Sequence, residues 1–153
     1  MKRSKVVLGD IATICSGGTP DRSNPKYWKG NIPWVKTGEI QFNQIRSVAE
    51  KITDEAVKNS SAKIVPEGTL LMAMYGQGKT RGQVAILGLD AAINQACAAI
   101  IPEDKGDTQY LFQYLASNYQ NIRRLSNSGS QENLNAELIR NIPVFYPEVS
   151  QRN

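Results

Sequence analysis

The chain has 153 residues, 41% hydrophobic and 21% charged, the composition of an ordinary globular domain long enough to bury a real core. Its 18 Lys and Arg against 14 Asp and Glu leave a formal net charge of +4, which favours polyanionic partners without specifying a fold. The absence of histidine, with Cys15 and Cys97 isolated from one another, excludes His-dependent nucleophiles, His metal sites and a thiolate zinc site built within the chain.

The start, Met1-Lys2-Arg3-Ser4-Lys5, is basic and an apolar run follows, but Gly9-Asp10 interrupts it and no cleavage site is evident, so no signal peptide is read. No segment approaches the ~18 consecutive apolar residues of a membrane span. A cytoplasmic location without membrane contact is expected, with both cysteines buried and reduced.

Val6, Val7, Leu8, Ile11 and Ile14 predict a strand end or short helix around residues 8–14, with Asp10 in its first turn. Ser16-Gly17-Gly18-Thr19-Pro20 breaks that element, and residues 19–31 predict a long polar loop. Ile32-Pro33-Trp34-Val35 reads as a short strand, with Pro33 placing it at an edge or a strand start. Thr53 is suited to cap a helix whose first turn holds Asp54 and Glu55 at the positive end of the dipole, and Asn59-Ser60-Ser61 ends it. Pro66-Glu67-Gly68 is a turn, residues 69–75 a strand, and residues 83–87 a second strand, giving a hairpin with a long glycine-rich tip. Residues 96–101 form a small-residue apolar run that predicts a buried strand. From 108 to 125 the apolar residues recur at three- and four-residue steps, which predicts a helix. A shorter helix at 134–140 and an extended segment at 142–147 follow. Strands and helices mix without regular alternation, so an α+β fold is expected rather than a doubly wound sheet.

Gly76-Gln77-Gly78-Lys79-Thr80 resembles the end of a phosphate-binding P-loop, but Ala73 stands where that motif needs glycine, and a strand follows instead of a helix. The tip suits DNA better. Its glycines let backbone approach a phosphate chain, and Lys79 and Arg81 supply charge with no acid nearby. Thr80 adds a hydroxyl. Gln77 and Gln83 match an adenine edge, and Arg81 a guanine edge. The plain alternative is a solvated hairpin tip with no ligand.

A second candidate surface runs from residue 17 to residue 37, where Thr19, Arg22, Lys26 and Lys36 are interleaved with Tyr27, Trp28 and Trp34. Trp34, inside the predicted strand, is expected in the core, whereas Lys36 and Thr37 just beyond it are better placed for contact. Asn94-Gln95 is expected to satisfy backbone groups at a strand entrance. Arg123-Arg124 is expected to complement a helix C-terminus. Ser130 and Gln131 face DNA or cap a helix.

Leu8-Gly9-Asp10-Ile11, Ser16-Gly17-Gly18-Thr19-Pro20 and residues 32–40 occur in the same order as in a known family. So do Pro66-Glu67-Gly68-Thr69-Leu70-Leu71-Met72, the glycine-rich tip, Asn94-Gln95, residues 129–134 and residues 142–147. By these blocks the chain resembles the DNA target-recognition domains of type I restriction–modification specificity subunits. The resemblance implies a small, mainly antiparallel, strongly twisted sheet with several helices. It implies one recognition domain at residues 1–147, with residues 148–153 beginning a truncated spacer helix. In that family a complete subunit holds two such domains, each reading half of a split target, and the helices dock methyltransferase subunits. The implied partners are double-stranded DNA, the modification subunit and, through the complex, the restriction subunit, with self-association open. No catalytic residue, cofactor or metal is expected. A recognition domain of a fused restriction–methylation enzyme and a basic protein-interaction module remain as alternative readings. An enzyme relying on carboxylates or lysine is disfavoured by the missing histidine and methyltransferase motifs.

Overall fold

A computed structural model describes residues 3–76, 78–126 and 133–147. Eleven strands are described. They are β1 (Arg3–Val7), β2 (Ala12–Ser16), β3 (Trp28–Val35), β4 (Gln44–Ile45), β5 (Glu50–Ile52), β6 (Lys63–Val65), β7 (Leu70–Ala73), β8 (Val84–Leu87), β9 (Ala91–Ile93), β10 (Cys97–Pro102) and β11 (Pro143–Pro147). The helices are α1 (Asp54–Lys58), α2 (Thr108–Ser117), α3 (Tyr119–Leu125) and α4 (Ala136–Arg140).

The strands are shared among three sheets: five strands in the order β2-β10-β7-β8-β4, four in the order β5-β3-β9-β6, and the pair β1-β11. The fold is α+β and its pairings are mainly antiparallel; β3–β9 and β4–β8 run parallel.

Layering explains why the central strands read as unbroken apolar runs. In β7, Leu70 and Met72 pack with Leu111, Leu115, Ile122 and Ile139 of the helices, whereas Leu71 and Ala73 turn toward Val35, Ala91 and Ile93 of the second sheet. A strand buried on both faces has no polar alternation to show. On the outer side of the second sheet, Trp34, Ile52 and Ala92 meet Ala56 of α1. The result is four layers: helices, five-stranded sheet, four-stranded sheet, short helix. Burying each large aliphatic side chain in them contributes roughly 1.5–3 kcal/mol before the entropy of ordering is counted.

Several predicted elements take their expected place. Thr53 caps α1, its hydroxyl accepting from the amide of Ala56 at 3.2 Å. The β7–β8 hairpin pairs Leu70 with Ile86 and Met72 with Val84. Asn135 caps α4 by accepting from the amide of Leu138 at 2.8 Å.

Other elements differ, each for a local reason. The helical run at 108–125 splits at Asn118, whose side-chain amide and backbone N–H both donate to the carbonyl of Tyr114. Residues 8–14 divide into a 3-10 turn (Leu8–Asp10) and the start of β2, with the Asp10 carboxylate accepting from the amide of Val7. The loop expected at 19–31 gives way to a 3-10 turn (Pro25–Tyr27), and β3 begins at Trp28. Pro33 lies within β3, which is neither an edge nor a strand start. It is tolerated because its partner there is Lys51 of β5, while pairing with β9 begins only at Trp34.

Gly17 is required by close approach: a Cβ there would lie 1.9 Å from the carbonyl oxygen of Ile93. Both cysteines are free; Cys97 is buried, and burial pushes its thiol up to about 12, while Cys15 is half-buried. Among the described residues, no helix is long and apolar enough to cross a membrane.

Candidate nucleic-acid interface

Glu50, on β5, gathers the first group of cations. Arg22 donates Nη1 to Glu50 Oε1 at 2.6 Å and Nη2 to Oε2 at 3.3 Å, and Lys36 Nζ reaches Oε2 at 2.6 Å. The Arg22 guanidinium lies 4.3 Å from the Trp28 ring centroid and 5.0 Å from that of Trp34, and the two rings meet edge to face at 5.3 Å. Trp34 is fully buried, as expected, and donates Nε1 to the carbonyl of Gly18 at 3.1 Å. Hydrogen bonds from Arg22 and then Lys36 hold the Glu50 carboxyl down to about 2. A depression of about 510 Å³ lies beside this group, lined by Arg22, Trp28, Lys29, Glu50 and Lys51 among others.

The second group is the tip of the β7–β8 hairpin, residues 76–82. Four of its carbonyls, those of Gly76, Gly78, Lys79 and Arg81, are held by side chains. Arg81 donates to Gly76 O at 3.0 Å, Gln83 Nε2 to Lys79 O at 2.9 Å and Arg123 Nη2 to Gly78 O at 2.7 Å. The Tyr119 hydroxyl also donates to Lys79 O, and Arg123 Nη1 to Arg81 O. With these carbonyls engaged, the tip is anchored to α3, and Lys79 stands exposed. Gly82, with φ +92, turns the chain back into β8 where an L side chain would be strained.

The turn at 37–43 joins the two groups. Glu39 accepts from the amide of Lys36 at 3.0 Å through Oε1 and from that of Ala49 at 3.1 Å through Oε2, which fixes the turn beside Glu50. Phe42 has φ +55, is 39% exposed, and sets its ring edge to face on Tyr119 at 5.2 Å. That conformation is held locally by Gln41 donating Nε2 to Gly38 O and its amide to Asn43 Oδ1, each at 2.8 Å. Between this turn and the tip lies a cleft of about 470 Å³ lined by Gly38, Ile40, Gln41, Phe42, Lys79, Thr80 and Gln83.

The sequence candidates therefore separate into exposed groups and supports. Lys79 and Lys26 are exposed, while Thr80 and Thr37 are half-buried beside or within the cleft walls. Thr19 is exposed and bonds to Gln95 through its hydroxyl, so Asn94-Gln95 braces the glycine-rich segment; Asn94 Oδ1 also accepts from the amide of Ala96. Arg22 and Lys36 are neutralised in part by Glu50. Arg81 and Gln83, expected to read bases, are 7% and 8% exposed and spend donors on the carbonyls of their own loop, because the tip folds back onto α3. Gln77, Ser130 and Gln131 lie outside the described residues. Glu50, Phe42 and Tyr119 gave no sequence signal. Arg123 was visible as a basic residue at a helix end, yet its partners are the tip carbonyls.

Comparison with known proteins decides the family. Residues 2–152 match the model of the type I restriction modification DNA specificity domain. The chain belongs to that family.

Curated relatives of the type I specificity domain found here include three named specificity subunits. It is 25% identical over 151 residues to the type I restriction enzyme EcoR124I/EcoR124II specificity subunit of Escherichia coli, covering 95% of this chain and 37% of that protein. It is 26% identical over 150 residues to the MjaIX specificity subunit of Methanocaldococcus jannaschii, covering 95% and 34%. The HindI specificity subunit of Haemophilus influenzae is 24% identical over 145 residues. The specificity domain spans about a third of the length of these relatives. Its fold matches the crystal structure of the HsdS subunit from Thermoanaerobacter tengcongensis, with TM-score 0.71 and 17% identity over 98% of this chain and 34% of that one. It also matches the type I restriction–modification S subunit of M. genitalium, with TM-score 0.70 and 14% identity over 98% and 36%.

Proposed function

We propose that residues 1–147 form a domain that reads a short double-stranded DNA sequence, as one half of the bipartite target of a type I specificity subunit. The observation that carries this reading is the preorganised tip. Five side-chain donations, two from the loop and its base and three from α3, fix the carbonyls of Gly76, Gly78, Lys79 and Arg81, and Lys79 is left exposed beside the cleft of about 470 Å³. Rigid loops with exposed donors are what base reading needs, since a bidentate base contact discriminates by about 1–3 kcal/mol only if its geometry is fixed. The cationic face at Arg22, Lys26, Lys29 and Lys36 supplies backbone-positioning contacts, which set register without carrying sequence information. Thr80 at the cleft wall, Thr37 next to the lining Gly38, and exposed Thr19 would add hydroxyl donors for bases or phosphates.

The chain performs no chemistry on this reading. Methylation and cleavage then fall to the modification and restriction subunits with which a type I specificity subunit assembles. Lys79 supplies the direct test. Lys79→Gln is expected to reduce the slope of log affinity against log salt by about 1 for duplex DNA. An unchanged slope and affinity places the DNA-facing surface elsewhere.

A further inference from the structure

Glu50 accepts two guanidinium N–H bonds from Arg22 and an ammonium contact from Lys36, with all three partners reaching the surface: their side chains are 27%, 55% and 37% exposed, respectively. A forked guanidinium and a lysine point charge converging on two oxygens is the arrangement that also binds a phosphate. Around this triad the surface is cationic: Lys29 and Lys51 line the adjoining depression, and among its described lining residues Glu50 is the one carboxylate. The other nearby acids are engaged elsewhere. Asp21 accepts from the amide and hydroxyl of Ser23, and Glu39 is bound to the amides of Lys36 and Ala49. The Arg22 guanidinium also lies 4.3 Å from the Trp28 ring centroid and 5.0 Å from that of Trp34, so aromatic contacts add to the carboxylate in placing the fork.

We propose that Glu50 is an internal stand-in for a DNA phosphate: it fills the anion site formed by Arg22 and Lys36 and thereby suppresses binding to non-target DNA. The inference rests on the DNA-reading role given above. Non-specific affinity comes from cations that neutralise phosphates and release counterions. A cation already paired with a carboxylate releases fewer. A phosphate must displace Glu50 to use this site, and only a duplex locked in register by base contacts holds one there long enough to do so. The device raises the ratio of specific to non-specific affinity, the quantity that matters against a genome of competing sites.

The experiment compares the 153-residue chain with its Glu50→Gln and Glu50→Ala variants, and with Glu103→Gln, which removes an exposed acid from the turn after β10. Two probes are used: a labelled duplex of arbitrary sequence across a salt series, and elution from phosphocellulose. Both Glu50 variants are expected to bind the arbitrary duplex about tenfold more tightly at low salt, with a log–log slope steeper by about 1 to 2, and to elute later than Glu103→Gln. Adding Arg22→Gln to Glu50→Gln is expected to reverse most of the gain. Tryptophan fluorescence of Trp28 and Trp34 reports that the cluster remains folded. Glu50 variants that match Glu103→Gln on both probes overturn the proposal. Later elution without duplex binding in any variant keeps the masked anion site but removes the DNA-reading role on which its purpose rests.

Discussion

Arg123 of α3 donates Nη2 to the carbonyl of Gly78, 45 residues earlier in the chain, at 2.7 Å. The same guanidinium reaches the carbonyl of Arg81 and the hydroxyl of Tyr119, which itself donates to the carbonyl of Lys79. One arginine on a helix thus supplies two of the five side-chain donations that hold a hairpin tip rich in glycine, a composition that on its own leaves many conformations open.

Arg123→Ala removes these donors and leaves the carbonyls of Gly78 and Arg81 without them. Charged hydrogen bonds of this kind contribute about 1.5–3 kcal/mol. The expected outcome is faster amide hydrogen exchange confined to the tip, together with roughly tenfold weaker binding to the selected DNA sequence and little change on arbitrary duplex. Arg123→Lys should recover the charge but not the fork, and so restore little of the lost discrimination. Equal losses on both duplexes would mean that Arg123 contacts phosphate instead of positioning the tip.

Gly17→Ala tests the close contact that sets the segment between β2 and β3. The added Cβ would lie 1.9 Å from Ile93 O and 2.7 Å from Ile93 Cγ1, and the nearest atoms include backbone, which cannot step aside cheaply. A loss of about 3 kcal/mol or more is expected in urea unfolding, or failure to fold. Gly38→Ala, where no atom lies within 4 Å of the new Cβ, is the matched control and should cost far less.

Glu50 also sets part of the acid sensitivity of the fold. Its carboxyl is lowered from 4.5 to about 2 by Arg22 and then Lys36. A depressed carboxyl stabilises the folded state above its unfolded value, and that contribution disappears as pH falls through the folded value. The window is therefore from about pH 4.5 down to about pH 2. Asp21, lowered by Ser23, acts in the same direction. Urea midpoints of the native chain should fall through this window, and the difference between the native chain and Glu50→Gln should narrow toward its lower end. A constant difference across the window would show that the charge on Glu50 is not what the cluster uses.

Local signals in the sequence were sufficient where one residue answers for its own element. Thr53 marked the start of α1, the turn at residues 66–68 led into β7, and the apolar run at residues 96–101 became β10. They were insufficient for β4, β5, β6 and β9, which have only two or three residues each and exist because a neighbouring strand lends them hydrogen bonds. Trp34 was legible as core because it sits in a strand. Arg81 was not legible as a support, since its burial depends on α3 folding over the tip. Glu50 was silent for the same reason: its partners are 28 and 14 positions away, brought together by β3 and β5 pairing Trp34 with Glu50. The order of short motifs carried the family even so; of these, Gly17 marks a close approach and Gly68 a turn with positive φ that this fold requires.

The central claim is that this domain reads DNA sequence, and its most direct test is selection from a randomised duplex pool at low and at physiological salt, with sequencing of the bound fraction. The account predicts enrichment of one motif of a few base pairs, retained as salt rises. Salt-sensitive binding that enriches no motif, or no binding even at low salt, would contradict it.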